Sequence, residues 1–389
     1  MTLKTKLIEH EFLATLEKGI RIGTLTLTMP SGEIHVFKGE TAGVDAAWTI
    51  HNAETYWAIG SRGDIGLGET YTAGLWDTPD LEVLFTSFIE NMEYLERYAH
   101  GHFMSKIIFA LVNNVFRRNS VKGSTRNIRQ HYDVGNAFYK LWLDPSMTYS
   151  SAYFVNDNTS LERAQKQKYQ RLLQKIGSGR ENILEIGCGW GGFAEEAAAN
   201  GHHVTGITIS KQQHAFASER LGNKADIQLK DYRRLSGKFS AIASIEMFEA
   251  VGKKYWPQYF QTLKNSLQDD GVAMIQTITI QDALFKGYTK RGDYIRHYVF
   301  PGGLLPSVER FKAQAEKAGL ACREVFLFGQ DYARTLREWL VSFNKAETAI
   351  RALGYDEPFL RSWRLYLAMC AASFACSRTD VMQVELVHA

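Results

Sequence analysis

Three glycines, Gly187, Gly189 and Gly192, stand in a GxGxxG spacing inside Glu185-Ile186-Gly187-Cys188-Gly189-Trp190-Gly191-Gly192. The run follows an apolar, strand-like segment and opens a helix-like one. A turn this tight, with a ligand pressed on its backbone, leaves no room for a Cβ. A nicotinamide dinucleotide would also need an Asp or Glu about 20 residues on, to hold the ribose hydroxyls. Here the next strand ends in Gly206-Ile207-Thr208-Ile209-Ser210, which offers hydroxyls and no acid. Glu185 lies just before the first glycine, where a carboxylate can face the ammonium of a methionine moiety. The loop therefore implies S-adenosylmethionine and methyl transfer; a glycine turn that serves packing alone is the plainer alternative.

The elements around the loop alternate. The pattern predicts a helix over Leu161 to Ile176, a strand over Asn182 to Ile186, and an alanine-rich helix over Gly192 to Asn200. A strand over His203 to Ile209 and a helix over Lys211 to Leu221 follow. Further strands are expected at 225–229, 239–245 and 271–279, with a helix at 306–318. Strands separated by helices of this length imply βαβ units and a mostly parallel sheet. Upstream the character differs. Gly23 to Met29 alternates Thr with apolar residues, the period of a half-buried strand, and Pro30-Ser31-Gly32-Glu33 turns it back into Ile34 to Phe37. Another strand-like piece covers Ala46 to Ile50, glycines recur from Tyr56 to Trp76, and a helix is expected from Asp80 to Tyr98. The fold expected is α/β: a class I (Rossmann-like) methyltransferase domain at 131–389, preceded by a small α+β domain at 1–112. That first domain shows no cluster of nucleophile and base, so lipid binding or docking suits it better than chemistry. Residues 113–130 read as a basic linker.

Bulk properties narrow the class. A chain of 389 residues exceeds what one core usually supports, so two domains are expected. Hydrophobic and charged contents of 45% and 22% suit a globular protein. The four cysteines form no CxxC pair and no metal spacing, which fits a reducing compartment and no metal site. No signal peptide is apparent, and the longest apolar stretch, Leu365 to Cys376, is too short to span a bilayer. A cytoplasmic location is the expectation. A net charge of +3 does not point to nucleic acid. Arg117, Arg118, Lys122, Arg126 and Arg129, however, form a basic run without an acid, suited to anionic lipid headgroups on the inner face of the membrane or to plain solvation.

Five ordered motifs carry a resemblance. They are His131 to Tyr139 with Met147 to Tyr153; Leu184 to Gly192; Gly206 to Ser210 with Gln213; Met247 to Gly252; and Tyr298 to Ser307. In this order, from about residue 125 to the C-terminus, the chain resembles the cyclopropane fatty-acid synthase and mycolic-acid cyclopropane synthase family. The resemblance implies that Tyr149, Ser150, the loop containing Glu185, Gly187, Cys188, Gly189, Trp190, Gly191 and Gly192, and Thr208, Ile209, Ser210 and Gln213 hold the cofactor. Asp231 and Tyr232 match the adenine contacts. The implied substrate is a cis double bond in an acyl chain, usually of a membrane phospholipid. Several members are homodimers, and some carry an extra N-terminal domain.

An alkene is a weak nucleophile, so the sulfonium methyl must be held on it in near-attack geometry. The resulting carbocation is stabilised by aromatic faces in a dry pocket. Tyr153, Phe154, Phe248, Tyr298 and Phe300 are candidate walls, each otherwise ordinary core. A base must then take a proton so that the ring closes. The resemblance implies a bound bicarbonate held by a Cys, a Glu, a His, a backbone amide and a Tyr. Glu249, Tyr332 and Ile278 fit three of these places, whereas Ser151 stands at the Cys position and Gln276 at the His position. Both can donate hydrogen bonds to an oxyanion, but neither carries charge. Altered base power opens a methylated or methylene-branched product beside the cyclopropane. Ser244 to Glu249 also resembles related plant N-methyltransferases, but these carry a His after the second Glu, where this chain has Ala250. A catalytically silent lipid-binding protein is the remaining class. Cys370 matches a Cys treated as functional in the family, although thiols on apolar helices are usually small core residues.

Overall fold

The structure, a computed structural model, describes residues 3–98 and 134–389. The basic linker at 113–130, and His131, Tyr132 and Asp133 of the first motif, lie outside the described residues. The chain forms two compact units. Of the described residues, the first unit combines 3–98 with Gly287–Val299 and Glu347–Arg378; the second holds 134–286, Phe300–Ala346 and Thr379–Ala389.

In the first unit four strands run in the order β2-β1-β3-β4. In β1 (Ile22–Thr28) Leu25 and Leu27 point inward while the threonines alternate outward, as a period of two requires. β2 (Ile34–Lys38) returns antiparallel, pairing Ile34 with Thr28. β3 (Thr41–Ile50) begins five residues before the strand expected at Ala46, and runs parallel to β1. β4 (Trp76–Asp77) is short. The glycine-bearing stretch before it is helical: Glu54–Arg62 and Asp64–Thr72 meet at Gly63, where φ is +60°. A Cβ on Gly66 would lie 2.0 Å from the Ala58 carbonyl oxygen, so glycine here serves close helix packing. The single helix expected from Asp80 to Tyr98 is two, Leu81–Glu90 and Met92–Tyr98. Between them the buried Asn91 accepts from the Arg21 and Ile22 amides and donates to the Ile22 carbonyl, which ties the break to β1.

Two later segments complete this unit. The helix Glu357–Ala375 places Leu365 and Ala372 in a core with Leu25, Trp48 and Trp76. Its Arg361 guanidinium donates to the Tyr71 and Trp76 carbonyls, and Tyr294 hydrogen-bonds both Thr72 and Ser362. Apolar burial and these bonds draw residues from 287–299 and 347–378, expected within the methyltransferase domain, to the N-terminal elements.

The second unit is a seven-stranded sheet ordered β10-β11-β9-β8-β5-β6-β7. Its strands are β5 (Asn182–Ile186), β6 (His203–Thr208), β7 (Ala225–Leu229), β8 (Phe239–Ile245), β9 (Leu267–Ile280), β10 (Leu320–Leu327) and β11 (Thr379–His388). The pairings β5–β6, β6–β7, β5–β8 and β8–β9 are parallel; β11 pairs antiparallel with both β9 and β10. Only β11 is reversed. This is the mixed α/β sheet of class I methyltransferases. β5 reads NILEI and is buried along almost its whole length, as a central parallel strand covered on both faces must be. His202 is buried, with its Nδ1 2.7 Å from the Arg180 carbonyl oxygen; His203 is exposed. No helix among the described residues is long and apolar enough to cross a membrane.

Candidate active site

Open parallel sheets bind ligands beyond the carboxyl ends of their strands, and the chemistry-bearing residues gather there. After β5 the chain turns through Gly187 (φ +82°) and Gly189 (φ +52°), and Gly191 (φ +84°) caps the helix Gly192–Ala199. A Cβ on Gly187 would stand 2.8 Å from Met247 Cγ, so the loop is pressed against the segment leaving β8. A Cβ on Gly192 would lie 2.9 Å from the Tyr169 hydroxyl. Cys188 is buried beneath Gly206 of β6, and Trp190 Nε1 donates to Asn136 Oδ1 at 2.8 Å.

Glu185 is 3% exposed. Burial pushes its carboxyl up to about 8, against the Ala194 backbone amide and the charges of Lys168 and Arg220. Its Oε2 is buried without a hydrogen-bond partner among the described residues. An orphaned carboxylate oxygen in a dry site needs a donor, and the ammonium of S-adenosylmethionine fits that need. The hydroxyl cluster after β6 is built differently. Ser210 caps the helix Lys211–Leu221 by accepting from the Gln213 amide, and Thr208 Oγ1 donates to Gln213 Oε1 at 3.0 Å. Asp231 is held by Arg233 through three donated hydrogen bonds, which keep its carboxyl below the usual range despite burial. The Tyr232 ring packs on Tyr259, and its hydroxyl is buried without a partner among the described residues.

The catalytic candidates converge with one change of cast. Glu246, immediately after β8, sits at the centre. Its Oε1 accepts from the Ser151 amide and from Gln276 Nε2, both at 2.8 Å, and its Oε2 accepts from the Tyr332 hydroxyl at 2.7 Å. The Ser151 side chain points elsewhere, donating to the Ala152 carbonyl. Gln276 is oriented by a relay: Gln383 donates to Gln276 Oε1, and Arg171 donates to Gln383 Oε1. Glu246 has φ +50°, the left-handed region that favours glycine; holding a non-glycine residue there costs about 1 kcal/mol or more. Glu249 lies one short turn on. Its Oε1 accepts from the Ile278 amide and the Thr277 hydroxyl, and its Oε2 is buried without a partner among the described residues.

Electrostatics separates the two carboxyls. Burial raises both, and the charge of Glu246 raises Glu249 further, up to about 8. For Glu246, the charge of Lys168 and the three donated hydrogen bonds oppose the rise. Both carboxyls are thus held above the ordinary carboxylate range, and Glu246 alone carries the opposing pull of Lys168.

Lys168, which motif spacing did not single out, is fully buried. Its Nζ donates to Ser150 Oγ at 2.6 Å and Gln165 Oε1 at 2.7 Å, while burial pulls it down to about 7 against the pull of Glu246, Asp144 and Glu185. The signal was present: Ala164, Lys168, Leu172 and Ile176 follow one another at four-residue spacing on the inward face of the helix Leu161–Ile176.

The aromatic candidates divide. Phe248 is core, surrounded by Trp256, Tyr259, Phe260 and Phe311. Tyr153 packs on Phe326 and Phe328, and Phe154 lies under the Arg334 guanidinium. Tyr298 belongs to the first unit, where it donates to Glu69. A continuous row of rings instead runs Trp190, Tyr139, Tyr149, Trp339 and Tyr332, with neighbouring centroids 5.1–6.2 Å apart, from the glycine loop to the hydroxyl on Glu246. Cys370 also lies in the first unit, and burial pushes its thiol up to about 12.

The sequence profile described as mycolic acid cyclopropane synthetase matches residues 119–384. The chain belongs to this family. It is 35% identical to the tuberculostearic acid methyltransferase UfaA1 of Mycobacterium tuberculosis, over 85% of this chain and 80% of that protein. It is 34% identical to the cyclopropane-fatty-acyl-phospholipid synthase of Escherichia coli, over 86% of each. Among solved structures, the mycolic acid cyclopropane synthase CmaA1 complexed with SAH and CTAB superposes with a TM-score of 0.63 at 29% identity, covering 67% of this chain and 97% of that one. The protein is thus an S-adenosylmethionine-dependent methyltransferase of a lipid-modifying family whose members include both ring-forming and methyl-branching enzymes.

Bicarbonate does not fit the site these residues build. The Ser151 amide, Gln276 and Tyr332 already serve Glu246, and the Ile278 amide serves Glu249. A further anion would find these donors taken and two buried carboxyls as neighbours.

Proposed function

We propose that this methyltransferase acts on the cis double bond of an unsaturated acyl chain, carried on a membrane phospholipid, and forms a cyclopropane fatty acid. The observation that carries this reading is the row of aromatic rings leading from the glycine loop to a buried carboxylate pair. When bound, S-adenosylmethionine supplies an electrophilic methyl on its sulfonium. Glu185 takes the cofactor's ammonium, and the glycine loop, Thr208 to Gln213, and Asp231 with Tyr232 hold the rest. The ring faces shield the cationic chain from water and stabilise it by about 2 kcal/mol where desolvated. Proton loss to the carboxylate pair then ends the reaction. The double bond enters from a bilayer, and the basic run from Arg117 to Arg129 suits anionic headgroups.

A methylene-branched product is the second reading, favoured by the absence of a histidine at Gln276 and by the likeness to the tuberculostearic acid methyltransferase. Incubation with S-adenosylmethionine and vesicles of cis-monounsaturated phospholipid, followed by mass analysis of the released chains and mild hydrogenation, separates the two. A chain heavier by one CH2 that resists hydrogenation is the expected result. The same mass with uptake of hydrogen gives the branched product, and no change in the acyl chains would refute both.

A further inference from the structure

The family resemblance supplies the base from solution, as bound bicarbonate, yet the cage is already filled from within. We propose that the Glu246 side chain is a built-in carboxylate that replaces the bound anion and serves as the base of the reaction. The inference rests on the acyl-chain reading above and deepens it.

The donor geometry carries it. A carboxylate offers about four lone-pair positions. Three on Glu246 are filled, by the Ser151 amide, Gln276 Nε2 and the Tyr332 hydroxyl, which leaves one on Oε2 to accept a proton. The donors come from three separate segments and meet on this one group. Gln276 cannot turn its carbonyl toward Glu246 without breaking the bond from Gln383. The backbone adds a second observation, since Glu246 occupies a φ of +50° that glycine would adopt without strain. Such strain at a site over-determined by its neighbours is the mark of a functional group. The charge of Lys168 opposes the rise of Glu246, and the buried Glu249 carboxyl, held by the Ile278 amide and the Thr277 hydroxyl, lies close enough for the two carboxyls to interact.

In the step itself, a C–H bond of the transferred methyl breaks. Its electron pair closes onto the cationic carbon, and the proton passes to Glu246 Oε2. The neutral Glu246 acid returns that proton to solvent after the product leaves.

The test uses the full-length enzyme in buffer freed of carbon dioxide, with and without added bicarbonate. The wild-type protein is expected to methylate lipid at the same rate in both. Glu246→Gly, compatible with the backbone at this position, is expected to fall about 100-fold or more and to recover at least ten-fold with millimolar bicarbonate. Glu246→Gln keeps the shape of the side chain without its basicity, and should lose activity without rescue. A wild-type rate that rises several-fold with bicarbonate, or a Glu246→Gln enzyme at wild-type rate, would overturn the proposal. A binding measurement needs no turnover. Titration with 13C-bicarbonate, followed by NMR, should show binding to Glu246→Gly and none to the wild type; binding to the wild type, or none to the variant, overturns the cage argument. If acyl lipid is not methylated under any condition, the acyl reading fails while the binding result still judges the cage.

Discussion

At the scale of the residue, this site is decided by which buried groups are charged. Glu185, held up to about 8 by burial, is protonated at neutral pH until a cation meets its free oxygen. Cofactor binding therefore requires loss of a proton from Glu185, and a group raised in the free protein binds its cation better as pH rises toward that value. S-adenosylmethionine affinity, measured by calorimetry, is expected to strengthen between pH 6 and 7.5 in the wild type and to stay flat over that range in Glu185→Gln. At pH 7.5 the variant should bind about 10–100-fold more weakly, the worth of a hydrogen bond to a charged group. Equal affinity in the two proteins would remove Glu185 from the cofactor site. Part of this was legible in the sequence: Glu185 and the loop glycines by their types and spacing, and Glu249, Gln276 and Tyr332 only through the family resemblance. Glu246 was visible as the first of two acids after a buried strand, but the partners that make it central come from Ser151, Gln276 and Tyr332, far away in the chain. Lys168 was hidden because a lysine on a polar-looking helix is ordinarily solvated, and only its place in the inward row separates it from its neighbours.

Elements show the same division. Short parallel strands and the helices between them were readable because their apolar runs are bounded by turn residues: the helices Leu161–Ile176 and Lys211–Leu221 and the strands β5, β7 and β8 fall where the pattern places them. Periodicity was silent where tertiary contacts decide. From Tyr56 to Trp76 only recurring glycines were readable, yet Gly66 admits the Ala58 carbonyl of a neighbouring helix. Asn91 interrupts a helix to satisfy β1, a bond that no local pattern encodes. The loop after β5 gives the prediction for this scale. In Gly187→Ala a Cβ would meet Met247 and the backbone would be held at φ +82°, so stability should fall by about 1–2 kcal/mol. Denaturant unfolding would measure the loss, and cofactor affinity should fall with it. An alanine variant of unchanged stability would mean that the loop is not pressed on Met247.

For the whole molecule, the notable feature is how the chain is divided. Residues 287–299 and 347–378 leave the catalytic sheet to join the N-terminal elements, and β11 returns to complete that sheet between β9 and β10. Family membership and the buried carboxylate pair support the central proposal, that the methyl acceptor is the double bond of an acyl chain. Plain N-methylation of a headgroup would use the same fold. The most direct test supplies S-adenosylmethionine labelled in its methyl group to the enzyme with vesicles of cis-monounsaturated or fully saturated phosphatidylethanolamine. The lipid is then hydrolysed, and the fatty acid and headgroup fractions are counted. Label in the fatty acids of the unsaturated vesicles alone is the predicted result. Label in the headgroup, or equal label from saturated vesicles, would contradict the account.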